Sequence, residues 1–313
     1  MIQTVRGKIK EEDVRNVLPH EHLVFGWPGI KGEKDNVYDE KTAYENCKMR
    51  IDMVRQHDVN LIVDPTPIHC GRDPLFMKKI AEDFNVDIVC ATGFFKDEDN
   101  VLSILKALSY TDDLEKVLRD LYVKELTQGI GDTGIKAGII KTASSYNRIT
   151  ALEEVLFKSA AEASLKTGVP IYTHCERGTM GLKQCELLLS FGIDPGKALI
   201  GHQTSNLDLN EVREILKLGF FIGFDQFGIL SIPDIPSDEE KLENLITLLN
   251  EGYEDQILLS QDTIFDRMGY VSRSKPRYPD QIYKQVLPAL KEKGFAEETL
   301  RRLCRENLLK LFK

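Results

Sequence analysis

Residues 135–142 read Ile-Lys-Ala-Gly-Ile-Ile-Lys-Thr and residues 169–174 read Val-Pro-Ile-Tyr-Thr-His. Between them, residues 151–167 read Ala-Leu-Glu-Glu-Val-Leu-Phe-Lys-Ser-Ala-Ala-Glu-Ala-Ser-Leu-Lys-Thr. The outer stretches are short apolar runs, as expected of strands, and the middle one has helical spacing. Thr150 stands where an N-cap belongs and Gly168 where a left-handed C-cap belongs. Strand, capped helix, strand is a βαβ unit, and such units build parallel sheets.

Outward from this unit the pattern repeats. Strands are expected at 14–22, 60–65, 86–92, 135–142, 169–174, 198–202, 220–225 and 256–262. Several are almost wholly apolar, as strands covered on both faces are. Helices are expected at 41–57, 74–84, 112–128, 151–167, 178–190, 209–218, 238–251 and 280–293, with a last one at 296–311. Eight such units in 313 residues fit an α/β fold of the (β/α)8 TIM-barrel type. An open doubly wound sheet is the other arrangement of the same elements. No linker or low-complexity tract interrupts the chain, so residues 1–313 are read as one domain. Residues 1–9 form a small hairpin outside the barrel in this reading.

Composition narrows the partners. A net charge of −9 argues against nucleic acid. No apolar run reaches the roughly 18–20 residues of a membrane span, which argues against a membrane partner. The N-terminus lacks the apolar core of a signal peptide. The six cysteines have no CxxC pairing and read as reduced thiols of a cytoplasmic protein.

Barrel chemistry sits at the C-terminal ends of the strands. There the chain places His20 and His22, then Lys141, His174, His202, Asp225 with Gln226, and Asp262. On a strand, residues two apart face the same way, so His20 and His22 make one edge of a metal site. Imidazoles with carboxylate suit zinc, with manganese, cobalt or iron as alternatives. A Lys141 amine buried near cations is pushed towards its neutral form, which reacts with CO2. The resulting carbamate has two oxygens and can bridge two metals. The plain alternatives are core histidines, a Lys141 salt bridge, and an Asp262 that only orients a ligand.

These residues carry a resemblance. His-Glu-His at 20–22, Gly-Asp-Thr-Gly-Ile-Lys-Ala-Gly-Ile-Ile-Lys at 131–141, Thr-His at 173–174, Ile-Gly-His at 200–202, Phe-Asp at 224–225 and Leu-Ser-Gln-Asp at 259–262 occur in order along the whole chain. The set resembles the phosphotriesterase family of the amidohydrolase superfamily, on its lactonase branch. The resemblance implies a barrel hydrolase with two divalent metals. His20, His22 and Asp262 would hold the more buried ion, and His174 and His202 the more exposed one. Carboxylated Lys141 and a hydroxide would bridge them, and Asp262 would take the proton of the attacking water. Asp225 is read either as a proton shuttle or as a structural group. The resemblance also favours a homodimer.

Two departures bear on the substrate. Lactonases of this family that open acyl-homoserine lactones carry Asp-Arg-Tyr-Gly after the seventh strand, where this chain has Asp225-Gln226-Phe227-Gly228. They also carry a tyrosine after the third strand, where this chain has Thr92-Gly93-Phe94-Phe95. The loop at 263–279 holds Arg267, Arg273, Lys275 and Arg277 against one acid, Asp266. Arginine suits phosphate and carboxylate, so an anionic small molecule such as a phosphorylated sugar lactone is expected. Solvated loop charges are the bland alternative. Arg267, Arg273, Arg277, Phe95, Gln226 and Trp27 are the expected substrate contacts. Glu21 is expected to point away from the metals, and Cys175 to pack as a small hydrophobe. His69 and Arg72, after the second strand, are within possible reach of substrate. The expected activity is hydrolysis of a lactone or ester. Phosphotriester or amide hydrolysis on the same site is the alternative, and a metal-binding barrel without turnover is the non-enzymatic one.

Overall fold

The N-terminal residues fold back as an antiparallel hairpin, Ile2–Thr4 (β1) with Gly7–Ile9 (β2). The barrel strands follow as Asn16–Leu18 (β3), then, after an outlying strand His22–Phe25 (β4), Val59–Asp64 (β5), Asp87–Gly93 (β6), Ile139–Lys141 (β7), Ile171–Tyr172 (β8), Ala198–Ile200 (β9), Phe221–Phe224 (β10) and Ile257–Leu259 (β11). A last strand, Ile264–Arg267 (β12), pairs with β4. Within the barrel every pairing is parallel, in the order β3-β5-β6-β7-β8-β9-β10-β11. This computed structural model describes residues 1–28, 30, 38–97, 102–229, 234–269 and 277–313.

The intervening helices are Glu40–Arg55 (α1), Pro74–Phe84 (α2), Ser103–Leu108 (α3), Leu114–Thr127 (α4), Ala151–Thr167 (α5), Gly181–Ser190 (α6), Leu209–Lys217 (α7) and Asp238–Asn250 (α8). The short α3 falls in a stretch expected to be loop. Local chemistry sets the boundaries. Thr150 and Ser237 each form a capping box with a glutamate three residues on. Asp73 caps α2 just before Pro74, and Gly168 closes α5 at φ 74°. Two helices, each with a π-helical turn, finish the chain at Ile282–Glu292 and Glu297–Leu311. Among the described residues no helix is long and apolar enough to cross a membrane.

Alternation along the strands makes two apolar layers. Leu61, Val63, Val89, Ile139, Tyr172 and Leu258 fill the barrel interior. Ile62, Ile88, Ile140, Ile171, Ile200 and Ile222 face outward onto the helices. Gly93 shows how tightly adjacent strands end. It lies at φ 106°, and a Cβ there would come 1.9 Å from the Lys141 carbonyl oxygen.

At the seam between first and last strands the elements differ from those expected. The expected strand 14–22 is two strands, broken by a bend at Pro19 and His20. Proline has no N–H to give a ladder, so pairing stops there. The expected loop from 263 begins as β12, with Ile264 beside His22 and Arg267 beside Phe25. Both stretches break at one level, where Asp262 takes φ 52°, and resume above it as a parallel ribbon. Among the described residues no backbone ladder joins β3 to β11. Two backbone bonds cross just beyond their ends, Asp262 N to the His20 carbonyl at 3.2 Å and His22 N to the Thr263 carbonyl at 2.9 Å, and the buried Glu21 carboxylate adds to them. It accepts from Ser260 Oγ at 2.7 Å, Gln261 N at 3.0 Å, Gln261 Nε2 at 2.8 Å and Thr263 N at 2.6 Å. Burial pushes the Glu21 carboxyl up to about 7, against the pull of these donors. Glu21→Gln turns an NH2 towards them, at a cost of ~2 kcal/mol. The melting temperature is expected to fall by about 3 °C in calorimetry. An unchanged melting temperature would mean that Glu21 does not hold the seam.

Candidate metal centre

Every strand-end residue singled out in the sequence as a metal ligand reaches one buried cluster at the C-terminal mouth of the barrel. His20 and His22 get there across the bend rather than along one strand, with ring centroids 5.4 Å apart. His20 lies 5.1 Å from His202, and His202 lies 4.5 Å from His174, again between centroids. One ligand atom from each of His20, His202 and Asp262 lies within 4.8 Å of the other two. Lys141 is buried beneath them, and its Nζ donates to the Thr173 carbonyl at 3.3 Å.

Each imidazole has one nitrogen tied to an oxygen outside the cluster. A single carboxylate, Asp225, holds His20 Nδ1 at 2.8 Å and His202 Nδ1 at 3.0 Å. It also accepts from the His202 backbone N at 3.0 Å, and His202 itself sits at φ 59°. His22 Nδ1 meets Thr66 Oγ1 at 2.7 Å, with Asp64 at 3.6 Å. His174 Nε2 meets Glu176 Oε2 at 2.9 Å, and Lys96 Nζ donates to the same oxygen at 2.7 Å. Carboxylates only accept, so the tied nitrogens of His20, His202 and His174 carry the protons and the others keep their lone pairs.

Those free nitrogens converge. His202 Nε2 and His174 Nδ1 are 2.7 Å apart. Asp262 Oδ1 stands 3.3 Å from His22 Nε2 and 3.7 Å from His20 Nε2. Two imidazole lone pairs at hydrogen-bond distance repel unless they share a proton or a metal cation lies beside both. Four imidazoles and a carboxylate are the donors that a zinc-like divalent ion takes. The residues therefore fit a metal centre.

The charge states of His20 and His174 agree, whereas that of His22 does not. Burial, helped by the Lys141 charge, pushes His20 down to about 4. Burial and His202 push His174 down to about 3. His22 is pulled down by burial too, but Asp262 and Asp64 outweigh that and raise it to about 9. Asp262 resists burial through His20, His22 and His202 and stays well below the usual carboxylate range. Burial brings Lys141 down to about 8, with Asp262 and Asp225 opposing.

The expected substrate contacts divide. Phe95 lies 4.7 Å from His174 between ring centroids, and Phe25, Trp27 and Phe95 pack edge-on or tilted against one another. Trp27 is 56% exposed, so this aromatic wall opens to solvent above the cluster. Arg267 is exposed on the ribbon beside Phe25. Arg277 is turned inward, donating to the carbonyls of Gln261 and Asp262. Gln226 is buried and both ends of its amide are engaged. It accepts from Ser205 Oγ and donates to Asp262 Oδ2 at 3.2 Å, so it positions Asp262 from below. Arg273 and Lys275 lie outside the described residues.

Arg72 is spent on Glu125, in a paired bridge at 2.6 and 2.9 Å, and on the Ala91 carbonyl. His69 stacks on Phe94. Glu21 points away from the cluster into the seam, and Cys175 is buried in the core. Asp64, Thr66, Glu176 and Lys96 escaped sequence reasoning. The signals for two of them were there: Asp64 ends the second barrel strand, and Glu176 stands two residues after His174.

A parallel barrel with such a cluster at its C-terminal mouth defines a class, the metal-dependent barrel hydrolases. The chain belongs to the phosphotriesterase family, whose model matches residues 1–312. That family is one of binuclear metal enzymes, and this protein is a hydrolase of the lactone or phosphotriester type. It is 30% identical over 315 residues to an aryldialkylphosphatase of Saccharolobus solfataricus, covering 98% of each chain. It is 36% identical to a mutant PTE-like lactonase of Deinococcus radiodurans, with a TM-score of 0.96 and 100% of both chains covered. An organophosphorus hydrolase of the same organism matches with 36% identity and a TM-score of 0.96, over 100% of this chain and 96% of that one.

Asp225→Asn keeps the size but offers an amide to two imidazole N–H groups. Retained divalent metal, measured by competition with a chelator, is expected to weaken by about 10–100-fold. Wild-type retention would leave Asp225 without this role.

Proposed function

We propose that His20, His22 and Asp262 hold one divalent metal, His174 and His202 a second, and carboxylated Lys141 both. Zinc suits the donors best, with manganese, cobalt or iron as alternatives. The observation that carries the proposal is the convergence of imidazole nitrogens whose partners lie outside the cluster. When bound, the pair supplies Lewis acidity and a water of lowered pKa.

The protein's own groups do the rest. Lys141 Nζ forms an N–C bond to CO2 and releases a proton to solvent, leaving an anionic carbamate. Asp262 is 17% exposed where Lys141, His20, His22 and His202 are nearly sealed, so it faces incoming substrate. Its carboxylate accepts the proton of the attacking water and passes it towards the leaving oxygen. Gln226 keeps that carboxylate aimed. Asp225 holds the orientation of His20 and His202.

The substrate is a lactone or ester. Phe25, Trp27 and Phe95 cover its apolar part, and Arg267 faces an anionic substituent such as the phosphate of a sugar lactone. Phosphotriester cleavage is a side activity on the same groups. Six buried, unpaired cysteines suit a reducing cytoplasm. A homodimer completes the reading.

A hydrolysis screen of the metal-loaded enzyme against plain, acyl-chain and phosphorylated lactones and a phosphotriester tests this directly. Phosphorylated lactones are expected to lead by at least about tenfold in kcat/KM, since an Arg–phosphate contact is worth ~1.5–3 kcal/mol. Equal rates would remove the anionic substrate, and no turnover of any lactone or ester would remove the activity. Lys141→Ala is expected to lose metal and activity together; full activity would exclude the carbamate. Because the neutral amine of Lys141 grows as pH rises through about 8, metal-stripped enzyme given metal and the same concentration of dissolved CO2 at each pH should regain activity faster at a pH above 8 than at a pH below it. A rate indifferent to both pH and CO2 would count against carboxylation.

A further inference from the structure

The face of the barrel opposite the metal centre holds a second basin, of about 640 Å³. It lies where β7, β8 and β9 begin, roofed on one side by the β1–β2 hairpin. Five lysines surround it: Lys8 on the hairpin, Lys136 before β7, Lys166 in the last turn of α5, Lys197 before β9, and Lys313. No aspartate or glutamate lines it.

That composition is out of keeping with the rest of the surface. The chain carries 50 acids against 41 bases, and its exposed lysines elsewhere are commonly paired. Lys78, Lys79, Lys183, Lys217, Lys284 and Lys291 each meet a carboxylate on a nearby residue. In the basin, Lys313 leans 3.9 Å towards Glu11, just outside the rim. Among the described residues Lys8, Lys136, Lys166 and Lys197 have no carboxylate within ion-pair distance. Helices α4 and α5 both end here, and helix C-termini attract cations. Lys197 answers that pull by donating to the Gly168 carbonyl at 3.3 Å. The ammonium groups of Lys8, Lys136 and Lys166 have no such partner among the described residues. Cations gathered in a concave wall reinforce one another's field on an anion placed between them.

We propose that this basin binds a small oligophosphate, a linear chain of phosphates either free or carried by a nucleotide. Lysine holds phosphate as a point charge and needs no planar fork, which suits a chain presenting oxygens in several directions. The volume falls in the range of small-molecule sites and is too small for a polymer. The site is separate from the metal centre, so its existence does not depend on the reaction proposed above.

Calorimetric titration of the metal-loaded enzyme with inorganic tripolyphosphate tests the proposal. Tripolyphosphate is also drawn to the metals, so the comparison is with K8Q/K136Q/K166Q, which alters only side chains remote from them. The wild type is expected to bind one equivalent at the basin, at least about tenfold more tightly than the triple variant, with affinity falling as salt is added. The variant should keep wild-type hydrolysis and circular dichroism, showing that it folds. A parallel titration with ATP assigns the source: tighter binding than tripolyphosphate points to a nucleotide, equal binding to the phosphate chain alone. Binding that is absent, or identical in wild type and variant, would overturn the proposal.

Discussion

The mouth of this barrel depends on how a buried carboxylate helps to close it. A ring of parallel strands needs its first and last members joined, and here the join comes just beyond β3 and β11, through backbone bonds at His20 and His22 and the pairing of β4 with β12. Glu21 reinforces it with four accepted hydrogen bonds from Ser260, Gln261 and Thr263. An ionised group in a dry interior is costly unless fully partnered. Here the four donors at the eighth strand end meet that requirement. His20 and His22 flank Glu21, and Asp262 lies between two of its donors. The anchor and the ligand set therefore share a backbone.

The centre itself is organised from outside by acids. Asp225 ties together imidazoles from opposite parts of the ring, Glu176 holds His174, and Asp64 and Thr66 hold His22. Each partner decides which nitrogen keeps a lone pair, which is the step that turns a group of histidines into a ligand set. Aromatic side chains then screen one flank, and Arg267 stands beside them on a ribbon that is not part of the barrel.

Much of this was legible because the barrel imposes position. Once strands and helices alternate, a residue at a strand end has a known address, and His174, His202 and Asp262 could be placed from apolar runs alone. The parts that were not legible depend on partners remote in sequence. Pro19 is a local sign that the strand at 14–22 is interrupted, because it lacks a ladder donor. Where the chain turns after it is another matter, since that is settled by the donors at residues 260–263. Arg277 looked like a substrate residue by composition, but the carbonyls that claim it belong to a turn set by Glu21. Gln226 stood out as a missing arginine. Its actual work, holding Asp262, needs Ser205 on the far side and cannot be inferred from a position in a motif.

The seam also has a history within the life of each molecule. Glu21 and Thr263 are 242 positions apart, and a ribosome adding about 5–20 residues per second takes on the order of ten to fifty seconds to make the interval. For that time His20 and His22 exist without Asp262 and without the donors that fix the bend between them. The metal-binding edge made first is finished last, so the centre cannot be assembled piecemeal as the barrel grows. The full ligand set exists only once the eighth strand has been made.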